Sequence, residues 1–146
     1  MKRLELLPLF ALVLACATGA AGPPKSPSVT IKQLTEVAVL LAANSTGLPV
    51  EYELEIVNPF DHPVTLTSIE VETVGVSGAY AMNRVKHAFA REIAPRAVDV
   101  VPFRAWVRPL QQNDKNQSNS PVLMRGTARF KSPAGVMQSS FAARVQ

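Results

Sequence analysis

Few side chains in this sequence carry reactive chemistry. There are two histidines, His62 and His87, and one cysteine, Cys16. A single cysteine makes no intramolecular disulfide and no cysteine-based zinc cluster. Asp61-His62 lies in the turn-like run Asn58-Pro59-Phe60-Asp61-His62-Pro63 and is half of what an acid–base or metal site needs. The simpler reading is an exposed turn in which Asp61 bonds nearby backbone. The acids closest to His87 in sequence are Glu92 and Asp99, so no carboxylate-rich neighbour activates it. There is no Gly-x-Ser-x-Gly elbow, no phosphate-binding glycine loop and no His-Glu-x-x-His. The expectation is therefore a protein that is not an enzyme, with no catalytic residue, metal or cofactor.

Charge is more informative. From Glu36 to Glu72 the acids are Glu36, Glu51, Glu53, Glu55, Asp61, Glu70 and Glu72, with no basic residue among them. From Thr73 onward only Glu92, Asp99 and Asp114 oppose a long series of arginines and lysines, although the whole chain is only +4. Arg125, Arg129 and Lys131 share one parity of a single apparent strand, a candidate contact for anionic lipid headgroups or an acidic partner. The simpler alternative is local cancellation, with Glu51, Glu53 and Glu55 opposite Arg125, Arg129 or Lys131 across strands. Export and the scarcity of exposed aromatics for stacking argue against nucleic acid as a partner.

The N-terminus reads as an export signal. Met1-Lys2-Arg3 is a short basic head, and Leu6–Ala15 is an apolar run half the roughly 20 residues that span a bilayer. Two cleavage schemes compete. Val13-Leu14-Ala15-Cys16 resembles a bacterial lipobox, which makes residues 1–15 the signal peptide and Cys16 the lipidated residue. The alternative is ordinary cleavage after Ala21, with Gly19 and Ala21 as the small residues. Lipidation is favoured because the one cysteine stands where a lipobox needs it. Residues 16–27 then form a proline-rich tether. In the lipoprotein pattern an Asp directly after the cysteine retains the protein at the inner membrane. Ala17 stands here, so the expected location is the outer membrane facing the periplasm, with a soluble periplasmic form as the alternative. Asn44-Ser45-Thr46 matches a glycosylation sequon, by chance in such a lipoprotein.

The remainder, residues 28–146, reads as one domain of strands. At 47% hydrophobic and 18% charged residues the chain is not disordered throughout, and its length fits one domain. Val50, Tyr52, Leu54 and Ile56 alternate with Glu51, Glu53 and Glu55, the period of a half-buried strand. Val64 and Leu66 lie on one parity and Ile69 and Val71 on the other, which predicts a bulge near Ser68. A strand is expected over 84–93, although Val85, Phe89 and Ile93 would also share a helical face. Val101, Phe103, Ala105 and Val107 make an inward face, and Pro102 must sit at an edge or bulge. Trp106 is a candidate core anchor. Residues 111–120 form a solvated loop. A hairpin closes the chain, with Val122, Met124, Ala128 and Phe130, then Met137, Phe141, Ala143 and Val145, facing the core. Many short strands and no convincing long helix predict an all-β, immunoglobulin- or fibronectin-III-like antiparallel sandwich of seven to eight strands.

The layout from Val29 to Val145 resembles the late embryogenesis abundant type 2 family, also called the water stress and hypersensitive response domain. Tyr52-Glu53-Leu54-Glu55-Ile56-Val57-Asn58-Pro59 is similar to that family's strand ending in Asn-Pro, and Leu66–Glu72 to its next strand. Ile93-Ala94-Pro95-Arg96-Ala97-Val98-Asp99-Val100 and Gly126 also fit. The resemblance implies a non-enzymatic β-sandwich tied to desiccation or other stress, exported or envelope-associated in bacteria, with no catalytic residues. The expected function is a lipid-anchored stress-protection or interaction module. The alternative is a periplasmic accessory of envelope assembly or transport that binds a lipid or a protein.

Overall fold

The computed structural model describes residues 25–36, 47–75, 78–110 and 120–145. The expected signal segment 1–15, Cys16, most of the expected tether, the Asn44 sequon and nearly all of the expected loop 111–120 lie outside the described residues. The strands are β1 (Ser28–Gln33), β2 (Leu48–Val57), β3 (Val64–Thr73), β4 (Tyr80–Ala81), β5 (Val85–Ile93), β6 (Val98–Pro109), β7 (Val122–Ser132) and β8 (Gly135–Val145). They form two antiparallel sheets, β1-β2-β6-β4 and β5-β3-β7-β8. Apart from the two-residue β4, three strands face four, the fibronectin-III type of β-sandwich. The strand expected over 84–93 is observed as Val85–Ile93, and it is not a helix.

Alternation sets the core. Val50, Tyr52, Leu54 and Ile56 of β2 face Leu66, Ile69, Val71, Ala128 and Phe130 of the other sheet, all buried. The parity change in β3 is a real irregularity: pairing with both β5 and β7 shifts between Leu66 and Ser68. The extra residue re-aims the second half of the strand, so Ile69 and Val71 point inward again. Phe130 and Phe141 are both buried, as the parity of the last hairpin requires. Trp106 is not a core anchor. It is 67% exposed, because Ala105 and Val107 occupy the inward parity of β6 and leave Trp106 on the outer face with Arg104 and Arg108.

Pro102 sits opposite Glu53 of β2. The Asn58 N–H bonds the Ala97 carbonyl, so hydrogen-bonded pairs alternate from there and the Pro102 nitrogen faces away from β2. On that side β4 pairs only with Pro109 and Arg108. Pro102 therefore removes no ladder bond and blunts an open edge.

Two polar knots fasten the fold, one between the sheets and one within the β1-β2-β6-β4 sheet. At one end, Asn58 is 1% exposed. Its Nδ2 donates to the carbonyls of His62 (3.0 Å), Ile93 (3.2 Å) and Ala94 (2.9 Å), and its Oδ1 accepts from the Phe60 N–H at 3.0 Å. The β2–β3 turn is thus latched to the β5–β6 turn, where Arg96 adopts a left-handed φ of 56° and donates its N–H to the Phe60 carbonyl. In the interior, the Tyr52 hydroxyl donates to the Tyr80 hydroxyl at 2.8 Å, which donates to Gln33 Oε1 at 2.5 Å. Burial is the main cause that pushes both phenols up, Tyr80 to about 12 and Tyr52 further.

Candidate functional site

The histidines do not assemble a reactive centre. His62 Nδ1 lies 3.3 Å from Asp61 Oδ1 in the turn, where the Asp61 side chain is almost fully exposed. A hydrogen bond from His62 lowers the Asp61 carboxyl, and its ring stacks on Phe60 at 5.1 Å between centroids. His87 lies on β5 against Phe103, 5.2 Å between centroids, and its buried Nε2 has no hydrogen-bond partner. Among the described residues no group of three or more His, Cys, Asp or Glu could hold a metal ion.

The basic residues do assemble. Alternation along β7 puts Leu123, Arg125, Thr127, Arg129 and Lys131 on the outer face of the four-strand sheet. Arg125, Arg129 and Lys131 are all exposed there. Their neighbours are not the glutamates of β2. Glu51, Glu53 and Glu55 belong to the other sheet, between β1 and β6, and Glu51 pairs with Arg104. The cross-strand cancellation weighed from the sequence is therefore overturned by topology. Arg125 instead lies opposite Glu72 of β3 and Ala142 of β8, Arg129 opposite Ser68 and Gln138, and Lys131 opposite Thr65 and Val136.

Glu72 organises one end of this face. Arg125 Nε donates to its Oε1 at 2.7 Å and Arg84 Nη2 donates to the same oxygen at 3.0 Å. The hydrogen bond from Arg84, then that from Arg125, holds the Glu72 carboxyl below the ordinary range. One carboxylate serving two guanidiniums leaves a positive charge uncompensated. Lys86 reaches Glu70 at 3.7 Å. Among the described residues, the side chains of Arg129, Lys131 and Arg144 make no ion pair within 4.0 Å.

Beside Arg125 a groove of about 460 Å³ runs over the start of β7 and the end of β8. Leu123 pairs with Arg144 and Arg125 with Ala142, so the two arginines occupy one diagonal and the apolar side chains the other. Val74 completes the apolar floor, and its N–H bonds the Leu123 carbonyl at 2.8 Å. Under the adjoining surface Gly126 pairs with Phe141, and a Cβ on Gly126 would collide with the Phe141 ring and lie 2.7 Å from the Glu70 carbonyl oxygen. Only glycine lets the ring close on β7 there.

No family model matches the chain, and no curated protein does. Among solved structures, it is similar to a Northeast Structural Genomics Consortium target at 13% identity, covering 83% of this chain and 81% of that one, with a TM-score of 0.47. It is also similar to a protein from Archaeoglobus fulgidus at 11% identity, covering 80% of this chain and 91% of that one, also with a TM-score of 0.47.

Sequence parity found Arg125, Arg129 and Lys131 as one row. It missed Glu72, Arg84 and Arg144, which belong to other strands. Arg144 carried a usable signal, since it shares the outer parity of the last strand with Ala142. The Glu72 bridge to residues 12 and 53 positions away carried none.

Proposed function

We propose that the chain is a non-catalytic interaction module of the bacterial cell envelope, anchored by a lipid on Cys16, whose basic sheet face rests on an anionic surface. The observation that carries the reading is the row Arg125, Arg129 and Lys131 on one exposed face, extended by Arg144 on the next strand. A polybasic face draws a protein to anionic headgroups, and a lipid on Cys16 would hold that face within reach of them. The two segments that carry the resemblance to the late embryogenesis abundant type 2 family meet at the Asn58 latch. That is consistent with a structural rather than catalytic use of both, and a stress-protection role follows from the same resemblance.

Two experiments test this. Cys16→Ser should release the mature chain from membranes, whereas unchanged fractionation removes the anchor from the proposal. Wild type should fractionate with the outer membrane, given Ala17 after the cysteine. Arg129→Glu with Lys131→Glu should weaken sedimentation of the Cys16→Ser chain with phosphatidylglycerol vesicles, and salt should do the same. Equal sedimentation of both forms would refute the basic-face reading.

A further inference from the structure

The groove at the open end of the β7–β8 hairpin combines two features that the rest of the basic face lacks. It is lined by the apolar Val74, Leu123 and Ala142 and by two arginines, Arg125 and Arg144. Arg125 and Arg144 are diagonal neighbours on adjacent antiparallel strands, about 7–8 Å apart in such a geometry with their Cβ atoms somewhat closer. That separation lets two arginine side chains converge on one anionic group while their stems stay on the floor. The charge balance also selects an anion. Arg125 shares Glu72 with Arg84, and Arg144 has no acid within ion-pair distance among the described residues. A fully polar anion would leave the floor in water, and a neutral hydrocarbon would leave the guanidiniums unused.

We infer that this groove holds the head of one anionic phospholipid, its phosphate between Arg125 and Arg144 and the start of its acyl portion on Val74, Leu123 and Ala142. The inference rests on the anionic-surface reading of the same face, and adds a discrete lipid site to an otherwise diffuse attraction. Arg129 and Lys131 are not part of it: they flank the opposite end of β7, near its turn.

The test is an amide-resolved NMR titration of the exported chain carrying Cys16→Ser. The probes are dihexanoyl phosphatidylglycerol, dihexanoyl phosphatidylcholine and inorganic phosphate, with both lipids below their micelle concentrations. Saturable shifts from the anionic lipid should centre on residues 74, 123–125 and 142–144. Arg144→Ala should weaken that binding by about tenfold, the scale of one charge-assisted contact. Leu123→Asp should also weaken it, while Arg144→Lys should keep part of it. Equal affinity for the zwitterionic lipid, equal affinity for inorganic phosphate, or no shift at the groove would each overturn the inference. Arg129→Glu with Lys131→Glu separates the two proposals. It should leave the affinity for the short-chain lipid within about twofold, since neither residue touches the groove. Vesicle binding that survives this change sinks the face reading alone. Loss of the groove shifts with vesicle binding intact sinks the lipid site alone.

Discussion

Asn58→Ala should be among the most damaging single substitutions in the domain, although it removes one small side chain from a turn. The amide nitrogen has two hydrogens shared among the carbonyls of His62, Ile93 and Ala94, and the amide oxygen holds the Phe60 N–H. Three hydrogen bonds at about 1 kcal/mol net each give about 3 kcal/mol, and a buried carbonyl left unpaired adds about 1–3 kcal/mol. The sum, about 4–6 kcal/mol, is a large share of the roughly 5–15 kcal/mol that holds a domain of this size. Urea unfolding followed by far-ultraviolet circular dichroism measures it, with Asp61→Ala as the control. Asp61 is exposed, so its loss should leave the unfolding midpoint nearly unchanged. Asn58→Asp sharpens the test. It keeps the acceptor for Phe60 but turns an ionised oxygen toward three carbonyls, so at pH 7 it should be at least as damaging as alanine. Protonation would restore one donor, so its deficit should shrink as the pH falls toward about 4. A parent-like Asn58→Ala, within about 1 kcal/mol, would refute the latch, as would a parent-like Asn58→Asp at pH 7.

Other outcomes follow from the same structure. The chain has two tyrosines, both buried, so the native protein should show no tyrosinate absorbance at pH 10, where the urea-unfolded chain titrates. Because both folded pKa values are raised, this contribution to stability is full below about 10 and is lost as the pH climbs through them; native titration near 10 would contradict the buried pair. Phe141→Ala should cost about 3–5 kcal/mol by leaving a cavity over Gly126, and Arg129→Ala no more than about 0.5 kcal/mol; equal costs would exchange the two faces of the hairpin. The single tryptophan, Trp106, should be quenched by iodide almost as strongly in the native state as in urea, and protection in the native state would put its side chain back in the core.

The strands and their faces were legible because a strand's side-chain period is local. Two residues carry the chain from one face of a sheet to the other, so alternation through 50–56, 101–107 and 122–130 names the core without knowledge of any partner. The same local rule located the irregularity at Ser68, and the missing N–H of a proline put Pro102 beside an open edge. Trp106 stands on the outward parity of its own strand. Taking a large aromatic as a core anchor set composition above position, and position decided. Pairing between strands is different in kind, because it is settled by which hydrophobic faces close on one another across the whole chain. That closure sent Glu51, Glu53 and Glu55 to one sheet and Arg125, Arg129 and Lys131 to the other. It also brought Asn58 to carbonyls 35 and 36 residues away, and Glu72 to Arg125. No periodicity in the sequence encodes those meetings, since each depends on two turns and a packed core being in place first. The proposed export signal and the proposed anchor at Cys16 are the reverse case: both rest on the order of residues alone, because such signals are defined by local sequence rather than by a fold.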